Sequence, residues 1–118
     1  MRTSVGITVL ALAAGLFAAQ PASAATTAAC TLQPGIPLKS GSKIEGAAGV
    51  TGTCGLTTMK LQRKRWYGWQ TMADKSWDGT SGSRRVITTA CSGSYEWRVW
   101  MYAEKAGGAT NNTRKITC

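Results

Sequence analysis

Between Ile44 and Cys54, small or apolar residues fall at every second position, namely Ile44, Gly46, Ala48, Val50, Gly52 and Cys54. A period of two is the signature of a strand with one face turned to a core. Met59 and Leu61 then alternate with Lys60, Gln62 and Lys64, which predicts a second strand over Thr57 to Arg65 with one dry face. Trp66-Tyr67-Gly68 turns the chain, and a third strand follows from Trp69 to Lys75. Asp78-Gly79 reads as a hairpin turn, because glycine accepts a positive φ without steric cost. A fourth strand holds Val86 and Ile87. Its register stays open, since Arg84-Arg85-Val86-Ile87 gives each face one basic and one apolar residue.

The clearest alternation is the fifth: Tyr95, Trp97, Val99, Met101 and Ala103 share one face, while Glu96, Arg98, Trp100 and Tyr102 share the other. Gly107-Gly108 ends that strand, and a last one runs through Arg114-Lys115-Ile116-Thr117. Upstream, residues 25–29 read as a loose arm and Pro34-Gly35-Ile36-Pro37 as a break. Short strands with frequent turn signals and no helical period predict an all-β fold, a small antiparallel β-sandwich. A small closed barrel is the alternative. Trp66, Tyr67, Trp77 and Trp100 fall in turns or on the wetter face of a strand.

The start of the chain has a different character. Met1-Arg2-Thr3, an uncharged apolar run from Val5 to Ala19 and then Ala22-Ser23-Ala24 have the layout of a secretory signal over residues 1–24. That run is shorter than the roughly 20 residues a spanning helix needs, and no second one follows, so no transmembrane segment is expected in the mature chain. A single domain over residues 25–118, secreted and extracellular, is the expectation. Its four cysteines, Cys30, Cys54, Cys91 and Cys118, then predict two disulfides. Three pairings are possible; Cys30–Cys54 with Cys91–Cys118 keeps each bridge within one half of the chain and is the one expected. Loops of about 25 residues make each bridge worth roughly 3.5 kcal/mol on the chain-entropy model.

Composition narrows the chemistry. The chain has no histidine, which excludes Ser-His-Asp and Cys-His catalysis and histidine-ligated metals. No Cys-x-x-Cys spacing suggests zinc. Asp74 to Thr80 imitates the opening of a calcium loop, but its twelfth position is Arg85, where a bidentate Glu is required. No metal or cofactor is expected. Of the five acidic residues, Asp74 and Asp78 form the only near pair, and surface or turn duty suits them better than glycosidase work. A non-enzymatic protein is expected.

What remains is cationic and aromatic. Fourteen Lys and Arg against five Asp and Glu give +9, or +8 once Arg2 leaves with the signal. Arg63-Lys64-Arg65-Trp66-Tyr67 sets three cations directly before two rings at a predicted hairpin, and Arg84-Arg85 and Arg114-Lys115 add further pairs. Such a surface attracts polyanions by counterion release and offers rings for stacking. The candidate ligand-binding residues are therefore Arg63, Lys64, Arg65, Trp66, Tyr67, Trp77 and Arg84. The corresponding partners are an anionic polymer, a glycan or an extracellular protein; nucleic acid is not expected. Asn111-Asn112-Thr113 matches a glycosylation sequon but reads as a polar turn beside a bacterial-looking signal.

Met59 to Lys105 resembles the immunoglobulin-like modules of small secreted actinobacterial proteins. The resemblance rests on Leu61-Gln62-Arg63, on Gly68-Trp69-Gln70-Thr71-Met72-Ala73, on the Asp78-Gly79 turn and on Ser92-Gly93-Ser94-Tyr95-Glu96-Trp97-Arg98-Val99. It implies an immunoglobulin-like sandwich with Trp69 and Trp97 in its core and, because such modules host many roles, no particular function. The chain is also similar to the actinobacterial α-amylase inhibitors, small two-disulfide β-sandwiches that present a Trp-Arg-Tyr triplet; here the same residue types stand in the order Arg65-Trp66-Tyr67. Three functions follow as expectations. The first is a secreted module that binds an anionic or glycan cell-envelope surface. The second is an inhibitor of an extracellular amylase or protease, and the third a membrane-active antibacterial toxin.

Overall fold

A computed structural model describes residues 29–118. The expected signal and nearly all of the expected arm lie outside the described residues. Nine strands follow in order: β1 (Cys30–Pro34), β2 (Leu38–Ser40), β3 (Lys43–Gly52), β4 (Gly55–Arg65), β5 (Gly68–Gly79), β6 (Arg84–Ala90), β7 (Ser94–Ala103), β8 (Gly107–Thr110) and β9 (Arg114–Thr117). Every pairing is antiparallel. In the first sheet β3 is central: β6 lies along one edge, and β1 and then β2 share the other. In the second sheet the order is β5-β4-β7, with β8 and β9 sharing the outer edge of β7. The two sheets pack face to face as a β-sandwich.

The period of two in the sequence is the period of burial. On β3, Ile44, Ala48 and Val50 are buried; on β4, Thr57, Met59 and Leu61; on β7, Trp97, Val99, Met101 and Ala103. Small residues on β3 make room for large ones opposite. A Cβ on Gly46 would stand 2.9 Å from Val99 Cγ2 and 3.1 Å from Leu61 Cδ1, so the second sheet's side chains press against bare backbone there.

Both expected disulfides are present, and they do different work. Cys30–Cys54 (Cα–Cα 5.0 Å) ties β1 to the crossover from β3 into β4. Cys91–Cys118 (Cα–Cα 5.6 Å) joins the end of β6 to the end of β9, one strand from each sheet. Disulfides of this kind persist outside the reducing cytosol, which fits a non-cytoplasmic protein.

Four local expectations need correction. Cys30–Pro34 is a strand, with Cys30 and Leu32 facing the core, where no strand is expected between the arm at 25–29 and the break that opens at Pro34. The strand expected to stop at Lys75 continues to Gly79, where Asp78 pairs with Leu56 and Gly79 with Gly55. Gly79 is needed for space and not for its φ, since a Cβ would collide with Thr57 Oγ1 and Cys54 Cβ. The turn lies beyond it, at Thr80–Ser83, where Gly82 takes φ 80° and the chain crosses between sheets. Gly107-Gly108 opens β8 instead of ending β7, which already stops at Ala103.

Candidate functional site

The β4–β5 hairpin carries most of the cationic and aromatic cluster. Arg65 pairs with Gly68, so Trp66 and Tyr67 alone form the tip. Gly68, at φ 125°, lets the strands rejoin after two turn residues that both keep negative φ. Trp66 is 91% exposed and Tyr67 54%, their rings meeting edge to face at 5.3 Å and 88°.

Behind the tip the strand pairing slips. Leu61 pairs with Ala73 but Gln62 with Thr71, so Met72 is an extra residue on β5 and forms a β-bulge. A bulge reverses the inward and outward assignment of everything beyond it. Gln70 therefore turns to the same side as its partner Arg63, and its Oε1 accepts from Arg63 Nε at 2.9 Å and from Arg65 Nη1 at 3.0 Å. Both guanidinium groups also stand over the ring of Tyr95 on β7, at 4.4 and 5.8 Å from its centroid. Arg65 lies 5.7 Å from the Tyr67 ring as well.

The same bulge sends Trp69 to the outer face of the second sheet, which corrects its expected place in the core. It lies half-buried beneath Arg98, whose guanidinium is 4.3 Å from the indole centroid. Arg98 Nε donates to Gln62 Oε1 at 2.8 Å, and Gln62 Nε2 in turn donates to Thr71 Oγ1 at 3.1 Å. Partial burial lowers the pKa of Arg98 from its ordinary value, yet a guanidinium remains charged in proteins. Further along this face Trp100 and Tyr102 stack within 10° of parallel, and Lys60 Nζ lies 5.5 Å from the Trp100 ring.

Of the seven residues singled out from the sequence, Arg63, Arg65, Trp66 and Tyr67 come together at the hairpin end. Lys64 sits on the hairpin but pairs with Trp69 and turns to the opposite face. Trp77 and Arg84 do not join them. Trp77, 6% exposed, is a core residue at the far end of β5, with Nε1 donating to Ser83 Oγ at 3.1 Å; it is buried because β5 extends past Lys75 with its alternation intact. Arg84 opens β6 in the first sheet, beside Ile36, Leu38, Glu45 and Val86. Gln70 and Tyr95 are the members that alternation did not point to, because Gln70 changes sides at the bulge and Tyr95 comes from a distant strand.

Other surfaces are poorer in chemistry. A groove of about 640 Å³ between β1 and β8 is lined by Leu32, Gln33, Pro34, Ala109, Thr110, Asn111 and Asn112, none of them ionisable. Asp74 and Asp78 lie four residues apart on an extended strand, about 13 Å by the usual rise and beyond the carboxylate spacings of glycosidases. Among the described residues no three metal-ligating side chains converge, and no helix is long and apolar enough to cross a membrane.

No protein-family model and no curated protein matches the chain. Among solved structures it is similar to a DUF3823 family protein from Bacteroides ovatus, at 10% identity and a TM-score of 0.47, over 75% of this chain and 55% of that one. A likeness that distant carries no argument about either fold or function, and the chain spans little more than half of that protein's length.

Proposed function

We propose that this protein is a secreted, non-enzymatic binding module that attaches to an anionic or glycan cell-envelope surface through the β4–β5 hairpin. The observation that carries this reading is the tip itself. Trp66 projects almost wholly into solvent, next to two arginines whose guanidinium groups are already ordered by Gln70 and Tyr95. An exposed tryptophan costs solubility unless something covers it, and ordered cations beside it favour a negatively charged partner. The nearly parallel Trp100 and Tyr102 rings offer a second, flatter apolar surface of the kind sugars stack on. Co-sedimentation of the mature protein with insoluble bacterial walls, at low and at high salt, tests the reading. Binding by charge is lost at high salt and binding by stacking survives it. Pelleting that Arg65→Ala and Trp66→Ala leave untouched rejects the hairpin as the binding element.

A second reading is favoured by one observation. The Trp66 and Tyr67 rings are perpendicular and cap a narrow turn, a wedge better suited to a cleft than to a flat surface. That shape suits an inhibitor of an extracellular amylase or protease. A panel of such enzymes showing no inhibition at micromolar protein removes it.

A further inference from the structure

We propose that Arg63 and Arg65 form a clamp for a phosphate group, so that the polymer held by the hairpin is a phosphate-bearing wall polymer and not a neutral or carboxylate glycan; this rests on the envelope-binding reading above. Two like charges are drawn to one neutral amide oxygen and one phenol ring, at 2.9 and 3.0 Å from Gln70 Oε1 and 4.4 and 5.8 Å from the Tyr95 centroid. Among the described residues neither arginine has a carboxylate partner. An amide oxygen orders the pair without neutralising it, so the charge repulsion between the two remains until an anion arrives.

The clamp is built by the fold. The bulge opposite Leu61 and Gln62 brings Gln70 to the arginines' side. Tyr95, which holds both cations from below, is fixed in β7 by its pairing with Ile116 of β9, next to the Cys91–Cys118 bridge. A third cation extends the row, because Arg63 and Arg114 both pair with Trp97, one from each side.

Geometry selects the ligand. Each guanidinium has five N–H donors in a planar fork and spends one on Gln70, leaving its others free. A bidentate fork takes the two syn lone pairs of a carboxylate and leaves a second fork only the anti pair in the same plane, whereas a tetrahedral phosphate presents oxygens in several directions and takes two non-coplanar forks at once. Trp66 and Tyr67 stand beside the clamp, where the sugar or polyol that links successive phosphates would lie against them.

The test is a titration of the mature protein with inorganic phosphate, read from the side-chain Nε–H resonances of Arg63 and Arg65. Sodium acetate and sodium chloride at matched ionic strength are the references. The expected result is a saturable shift of both resonances with phosphate and weak, unsaturated drift with the other two. Arg65→Lys, which keeps the charge and loses the fork, weakens phosphate binding by about tenfold or more, while Lys39→Ala, the same loss of charge as an alanine at the site but on β2, does not. Equal responses to all three salts, or Arg65→Lys binding phosphate as the parent does, overturns the clamp. Pelleting with walls before and after chemical removal of their phosphodiester polymers, beside anionic phospholipid vesicles, separates the two readings. Loss of pelleting on stripped walls supports the polymer assignment, and stronger binding to vesicles than to walls overturns it. Trp66-dependent pelleting that persists on stripped walls leaves envelope binding standing and overturns the phosphate-bearing polymer as its target. Phosphate binding without any pelleting removes envelope binding and keeps the clamp.

Discussion

The two sheets are made from similar strands, yet every tryptophan and tyrosine of the chain lies in the second sheet or on its hairpin. The first sheet meets it with Ile44, Gly46, Ala48 and Val50 on β3 and with Leu32 on β1. The difference teaches a division of labour. Gly46 and Ala48, set between Ile44 and Val50, leave room for the opposite sheet to fill the core with Trp97, Met59, Leu61 and Met101, and the rings the core cannot hold emerge on the second sheet's outer face and tip. Cation–π contacts then cover several of them, Arg98 on Trp69 and Lys60 on Trp100. Trp66 is left bare.

This division can be broken from either side. The largest expected effect comes from the filled side: Trp97→Ala empties the centre of the core and should destabilise by about 3–5 kcal/mol, measured by denaturant unfolding. Trp97→Phe serves as a control, since the indole N–H has no hydrogen-bond partner to lose. Next is the covalent tie between the sheets. Replacing Cys91 and Cys118 by alanine should cost roughly 3.5 kcal/mol, with hydrogen exchange on β9 amides accelerating before those of β4. Equal acceleration throughout would show that the bridge does not act locally.

From the small-residue side, Gly46→Ala should destabilise by about 1–3 kcal/mol through its clash with Val99 and Leu61, whereas alanine at Gly108, where the nearest atom is 3.6 Å away, should be tolerated. Smallest in stability is the tip: Trp66→Ala should change unfolding free energy by less than about 0.5 kcal/mol while removing wall binding. Wall binding should also stay constant between about pH 5 and 8. The chain has no histidine, and the lowered pKa of Arg98 leaves that group charged throughout; because a buried cation is penalised in its charged form, any gain in stability from its deprotonation falls only at strongly alkaline pH. Binding that titrates across that window would point to a group outside the hairpin.

Alternation made the inner faces of β3, β4 and β7 legible, because burial on one side of an extended chain imposes a period of two that nothing else in the sequence disguises. Cys30, by contrast, sat in a segment whose proline and glycine hid a strand, and Asp78-Gly79 had the chemistry of a hairpin turn but forms the paired end of β5, with the turn just beyond it. Turn residues record local permission to bend, whereas the partner strand decides whether the chain does.

By itself, the sequence determined the all-β class, the one-sided burial of its main strands, the cationic aromatic segment at Arg63 to Tyr67 and, from the absence of histidine, the chemistries closed to the protein. Tertiary structure alone decided which of those residues meet. One extra residue, Met72, turns Gln70 toward the arginines and Trp69 away from the core, and a strand thirty positions downstream supplies Tyr95 beneath them. Neither is written in local pattern, because a bulge is settled by the register of two strands together and a cross-strand contact by which strands become neighbours.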